Sequence, residues 1–102
     1  MLHLELDIQP HTAQQLKKIL ASAPDEETFA RTVIAYQITE LRKGLLNIRI
    51  DLKQFEDKYQ QSSADFYRQF AQGQSDDGED ALLWAGLYEM SQDNERRLQD
   101  LV

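Results

Sequence analysis

Hydrophobic and polar residues alternate strictly at the start of the chain. Leu2, Leu4, Leu6 and Ile8 fall on one side, and His3, Glu5 and Asp7 fall on the other. This period of two predicts a half-buried β-strand, the only good strand candidate in the sequence. A lone strand leaves backbone groups unpaired on both edges, so we expect it to pair with the same strand of a second copy. The pattern thus predicts a homodimer, with the four apolar residues at its interface.

Helical periodicity follows this segment. Pro10 suits the first turn of a helix, and the apolar spacing continues until Pro24, whose preceding residue avoids the α region. A first helix is therefore predicted over about 10–22. The acidic residues that follow Pro24 favour the start of a second helix near residue 26, since they interact well with the helix dipole.

The second helix carries the strongest regularity in the chain, an unbroken heptad repeat from residue 34 to 59. Its apolar positions are Ile34, Ile38, Leu41, Leu45, Ile48, Leu52, Phe55 and Tyr59. Such a seam predicts a continuous coiled-coil helix over about 26–60. We assign the positions from Ile34 to Leu52 to dimerisation. The sequence leaves open whether the seam pairs with its symmetry mate or with the last helix of the same chain.

The rest of the chain predicts a helical hairpin. Ser62 resembles a helix N-cap, and a short helix should cover about 63–72. A polar turn at 73–78 then leads into a last helix over about 79–101. This helix shows a looser heptad that includes Leu83, Leu87 and Met90, and it could lie antiparallel on the second helix. The predicted fold class is mainly α: a ribbon-helix-helix-like dimerisation module over 1–45, then a helical extension over 46–102, with helix 26–60 shared in one continuous domain.

Charge divides the chain more sharply than hydrophobicity does. The chain has 102 residues, 41% of them hydrophobic, with 18 acidic and 11 basic side chains and a net charge of -7. Residues 1–50 hold six of each sign, whereas residues 51–102 hold 12 acidic and five basic side chains. An acidic field of this kind repels nucleic acid and attracts a basic protein surface.

Composition gives little support for catalysis or export. The chain has no cysteine, no nucleophile triad, no phosphate-binding glycine loop and no calcium-loop spacing in its acidic turn. It shows no apolar run long enough to span a bilayer and no export signal. We therefore expect a cytoplasmic protein that is not an enzyme and holds no cofactor or metal.

Strand, helix and helix in this order resemble the ribbon-helix-helix fold over about residues 2–43. In that family two strands form a ribbon whose outward side chains read bases. The resemblance places His3, Glu5 and Asp7 at the DNA-binding positions. Carboxylates there would face a polyanion, so dimerisation is the favoured role of the ribbon.

The second half is similar to small bacterial antitoxins encoded beside a toxin gene. The similarity is carried by Phe55-Glu56-Asp57-Lys58-Tyr59, by Ser62-Ser63-Ala64-Asp65-Phe66-Tyr67-Arg68-Gln69-Phe70, by the acidic turn, and by Leu83-Trp84-Ala85-Gly86-Leu87-Tyr88-Glu89-Met90. It implies a dimerising N-terminal module and a C-terminal arm that binds and blocks a toxin, often a basic ribonuclease. The acidity of this half suits such a partner.

The sequence thus predicts an antitoxin-type protein that neutralises a cognate basic toxin through its acidic half. The expected partner-binding residues are Phe66, Tyr67, Phe70, Asp76, Asp77, Glu79, Asp80, Trp84 and Tyr88. The aromatic members could equally be core residues if the C-terminal helices fold back on the second helix. Two other functions remain open: a DNA-binding repressor that regulates its own promoter, and a structural coiled-coil adaptor.

Overall fold

Four α-helices make up most of the chain in a computed structural model that describes residues 1–74 and 78–102. They are α1 (Pro10–Ser22), α2 (Glu26–Tyr59), α3 (Ser63–Ala71) and α4 (Glu79–Leu101). The long helix and the C-terminal helical hairpin are as predicted. Internal contacts divide the chain into two units, Met1–Ala35 and Tyr36–Val102. The predicted boundary at residue 45 falls inside the second unit.

Local chemistry accounts for where the helices begin. Pro10 occupies the first turn of α1, where its missing N–H is not needed. The side chain of Asp25 accepts a hydrogen bond of 2.6 Å from the backbone N–H of Thr28 at the start of α2, and this bond lowers the pKa of the carboxyl. Ser62 accepts one of 3.1 Å from the backbone N–H of Asp65, which confirms the predicted N-cap of α3.

Two helices end in left-handed residues. The N–H of Gln74 bonds to the carbonyl of Gln69, and the N–H of Gly73 bonds to that of Phe70, with Gly73 at φ 70°. This is the Schellman arrangement that closes a helix C-terminus. At the end of α2 the N–H of Gln61 bonds to the carbonyl of Glu56, which corresponds to the bond from Gln74 to Gln69. The left-handed residue there is Gln60, at φ 50°.

The predicted N-terminal strand is wrong. Residues 1–9 form neither helix nor strand, all nine are exposed, and the described residues contain no strand. The alternation gives the segment an apolar side, but a strand also needs a neighbouring edge for its backbone groups, and the single chain provides none. The ribbon-helix-helix-like module is therefore corrected to an all-helical fold. The ribbon on which His3, Glu5 and Asp7 were expected to face DNA is likewise absent from the described residues.

The first unit, Met1–Ala35, contains no buried residue. Its large apolar side chains are mostly exposed, and only four of its residues are half-buried: Ala13, Leu16, Ala23 and Phe29. The heptad position Ile34, which we assigned to dimerisation, belongs to this exposed set. This unit removes little apolar surface from water within one chain.

The second unit has a core, and the heptad seam of α2 forms one side of it. Leu41, Leu45, Ile48 and Leu52 are buried, and Ile38 is half-buried. Antiparallel α4 covers the seam: Gly44 lies opposite Asn94, Arg49 forms an ion pair with Glu95, and Phe55 packs against Trp84. The question of what pairs with the seam is thus answered for this part of it by the last helix of the same chain.

The buried face of α4 consists largely of small residues around one large ring. Ala81, Trp84, Ala85 and Ser91 are buried, whereas the heptad positions Leu83 and Met90 are exposed. Small side chains let α4 approach α3 closely, and Trp84 fills the space between these helices and α2. No helix in the described part of the chain is both long and apolar enough to cross a membrane.

Candidate partner-binding surface

The predicted aromatic residues gather around Trp84, which is only 2% exposed. Phe66 of α3 stacks on it with ring centroids 3.9 Å apart and an interplanar angle of 3°. Phe55 and Tyr59 of α2 stack at 5.7 and 5.6 Å. Phe66 and Trp84 are therefore the centre of the core, where α2, α3 and α4 meet, and they offer a partner almost no surface.

A buried hydrogen-bond relay orients this core. The indole Nε1–H of Trp84 donates to Ser63 Oγ at 2.8 Å, and Ser63 Oγ–H donates to Glu56 Oε2 at 2.8 Å. The same carboxylate oxygen accepts from the backbone N–H of Ser63 at 2.9 Å. One carboxylate of α2 thus satisfies the first turn of α3 and, through Ser63, the polar edge of the buried indole.

Tyr67, Phe70 and Tyr88 lie at the edge of the core and are half-buried. The rings of Tyr67 and Tyr88 are 4.9 Å apart, and the hydroxyl of Tyr67 donates to Glu89 at 2.6 Å. This hydrogen bond to a carboxylate raises the pKa of the Tyr67 hydroxyl. These three residues can touch both the core and a partner.

Asp80 forms a small polar cluster with the end of α2. Its Oδ2 accepts from Lys58 Nζ at 2.7 Å and from the hydroxyl of Tyr59. These bonds, first that from Lys58, lower the pKa of the Asp80 carboxyl, and the bonds to Asp80 raise the pKa of both Lys58 and Tyr59. Asp80 therefore joins α4 to α2 as an anion, while Glu79 beside it is exposed. Asp76 and Asp77, the other two predicted acidic residues, lie outside the described residues.

An exposed apolar stripe on α4 escaped the sequence analysis. Leu83 and Met90, seven residues apart on one face, are 54% and 55% exposed. Glu79 lies one turn before Leu83, and Arg97 lies two turns after Met90, so a charged residue flanks the apolar pair at each end. A Cβ added at Gly86, between the two apolar residues, would meet nothing within 4 Å. We call Glu79, Leu83, Gly86 and Met90 the α4 stripe.

This stripe was missed because the heptad count placed Leu83 and Met90 against α2. The distinguishing signal was the spacing of Ala81, Ala85 and Ser91, small residues that share a face with Trp84. Large apolar residues on a different face from a small-residue row indicate a surface still available for contact.

The charge of the second unit is negative, and most of its cations are already occupied. Residues 36–102 hold 13 acidic and eight basic side chains, a net charge of -5. Within the described residues, six of these cations form ion pairs with carboxylates of the unit: Lys43–Glu40, Arg49–Glu95, Lys53–Asp57, Lys58–Asp80, Arg68–Asp65 and Arg96–Asp93. A basic partner would thus meet a surface with excess carboxylates.

The described part of the second unit includes a cavity and a shallower groove. A cavity of about 470 Å³ opens at one end of the hairpin, with Phe66 and Trp84 on its floor and Asp80 at its rim. A second groove of about 290 Å³ lies nearer the N-terminus of α2, between Arg42, Leu45, Leu46 and Arg49 of α2 and Leu98 of α4. The second is lined by two arginines and three leucines, in contrast to the acidic character of the unit.

No group of three or more potential metal ligands gathers among the residues that the structure describes. Comparison of the chain with protein-family models, with curated proteins and with solved structures finds no match.

Proposed function

We propose that this protein is an antitoxin-type inhibitor that binds a basic toxin, of the ribonuclease class, and covers its positive surface. The observation that carries the proposal is the α4 stripe: an exposed apolar face on a helix whose opposite face already forms the core. Scattered surface leucines need no explanation, but an aligned pair on an ordered helix is the usual geometry of a helix that contacts a partner.

Electrostatics supports a basic partner. A toxin that cleaves nucleic acid needs a positive surface to hold phosphates, and the net charge of -5 on residues 36–102 complements such a surface. Inhibition then follows from occupation, because a carboxylate-rich helix placed over the nucleic-acid site excludes the substrate. The proposed site of action is the cytoplasm, and the proposed inhibitor is a homodimer.

The proposed partner contact lies on the α4 stripe and not at the aromatic centre that the sequence predicts. Tyr67, Phe70, Tyr88 and Glu79 remain available as contact residues, since they are half-buried or exposed. Phe66 and Trp84 instead hold the hairpin in shape. Deleting residues 61–102 would remove half of the core together with the surface, so point substitutions on α4 give a cleaner test.

The test compares substitutions on the α4 stripe with a substitution of the neighbouring leucine. In the full chain, co-expressed with the product of the neighbouring gene, Leu83→Arg and Met90→Arg should each weaken the complex at least about tenfold, as expected when a central apolar contact is replaced by a charge. Leu82→Arg is the matched control, since Leu82 is 59% exposed and lies about 80–100° around α4 from Leu83 and Met90. Affinity is measured by titration calorimetry on the purified proteins.

Rising salt should weaken the wild-type complex, because the attraction is between opposite charges. Failure to isolate any complex, or equal loss of affinity in the Leu82 and Leu83 variants, would refute the proposed function.

A further inference from the structure

We propose that the groove between Arg42 and Arg49 binds residues 2–8 of a second copy of this chain. The inference names the contact of the homodimer and so deepens the proposed function, but it involves neither the α4 stripe nor a toxin. We call the site the Arg42 groove: Arg42, Leu45, Leu46, Arg49 and Leu98.

The groove combines an apolar floor with a basic rim. Leu45 is buried at its base, Leu98 is half-buried, and Leu46 is exposed at its side. Arg49 forms an ion pair with Glu95 at 3.5 Å, and the two side chains are 67% and 41% exposed. Arg42 forms no ion pair among the described residues. A ligand for this groove should carry apolar side chains with carboxylates between them.

Residues 2–8 have that chemistry. Leu2, Leu4, Leu6 and Ile8 alternate with a histidine and two carboxylates, Glu5 and Asp7. Every residue of this segment is exposed in the single chain, and its four apolar side chains are 40–80% exposed. So much apolar surface on an irregular segment is left in water unless another surface covers it.

The dimensions agree. Arg42 and Arg49 are seven helical residues apart, which is about 10 Å along α2. In an extended chain Glu5 and Asp7 are two residues, or about 7 Å, apart, and the flexible arginine side chains span the difference of about 3 Å. With Leu4 and Leu6 in the groove, Glu5 and Asp7 point away from its floor. The long side chains of Arg42 and Arg49, which stand at the rim, would then extend upward to meet these two carboxylates. Two such contacts related by a two-fold axis complete a symmetric dimer, the commonest form of homo-oligomer.

Crosslinking tests the contact directly, since the chain has no cysteine of its own. Full-length Leu6→Cys is mixed with tagged Leu46→Cys under mild oxidation, and the mixed disulfide is identified by mass. We expect this product to exceed, by about tenfold, the product with the Leu82→Cys control, as effective concentration at a bound site requires. Equal crosslinking at the two positions would overturn the proposal.

Reversing the charges on the two sides of the contact tests whether ion pairs between carboxylates and arginines stabilise the dimer. Sedimentation of the full chain should show a dimer that dissociates on dilution. Glu5→Arg with Asp7→Arg, or Arg42→Glu with Arg49→Glu, should each weaken it about tenfold or more, because attraction becomes repulsion. Combining all four substitutions should restore the dimer. A wild-type chain that is monomeric throughout, or a combined variant that is not restored, overturns the proposal. The charge variants should still bind the toxin, whereas Leu83→Arg weakens toxin binding. Loss of the dimer is thereby distinguished from failure of the proposed function.

Discussion

At the scale of single residues, one carboxylate determines how the aromatic core is oriented. Glu56 accepts from the backbone and hydroxyl of Ser63, and Ser63 in turn accepts from the indole of Trp84. A buried indole N–H without an acceptor costs free energy, so the short helix α3 is fixed at the position where Ser63 reaches Trp84. Sequence alone indicates aromatic residues in this region, but not the serine that orients them.

Ser63→Ala should therefore lower the free energy of unfolding by about 1–3 kcal/mol, the usual cost of leaving a buried donor unsatisfied. In a Trp84→Phe background the same substitution should cost less, since no indole N–H remains. Denaturant unfolding followed by far-UV circular dichroism measures both, because Trp84→Phe removes the only tryptophan. Ser62→Ala, which removes the N-cap of α3, serves as control with the same loss in both backgrounds. Equal costs of Ser63→Ala in the two backgrounds would contradict the relay.

At the scale of elements, the helix boundaries follow from local signals. Pro10, Asp25 and Ser62 start three helices at the residues where the sequence predicts them. The two left-handed helix ends differ in their residue type. Gly73 adopts the left-handed conformation without steric cost, whereas the same conformation has a steric cost for Gln60. The structure thus contains one well-suited and one strained C-terminus.

Exchanging the residue type at these two positions should have opposite effects. Gly73→Ala should destabilise the protein by about 1–2 kcal/mol, the left-handed penalty, since its Cβ would meet nothing within 4 Å. Gln60→Gly should stabilise it by about 1 kcal/mol for the same reason. Thermal unfolding, with shifts of about 4–8 °C per kcal/mol, detects both. A fall in melting temperature for Gln60→Gly would show that its side chain matters more than its backbone.

At the scale of the whole chain, the two units differ in what they bury. The second unit encloses Trp84 and the α2 seam, whereas residues 1–35 contain no buried residue. Helices without a buried face depend on weak intrinsic propensity, because most helical stability in proteins comes from packing. The second unit is therefore the stable part of a free chain.

Amide hydrogen exchange of the dilute, partner-free protein should resolve this difference. Amides from Leu45 to Leu52 should exchange at least about a hundredfold more slowly than those of α1, because local opening is easiest where few contacts are lost. Mass spectrometry of peptic fragments measures both regions in one experiment. Similar protection in α1 and in the middle of α2 would mean that residues 10–22 pack within the free chain.

The sequence by itself determined the helices, their ends and the location of the acidic excess, because caps, prolines, period and charge act within a few residues. Only the tertiary structure decided what those elements bury. The heptad seam did not reveal that α4 would cover it, and the alternation at Leu2–Ile8 did not form a strand, because a strand depends on an edge elsewhere. Likewise Leu83 became surface and Ala81 core, since the close approach of α4 to α3 selects the face with small side chains.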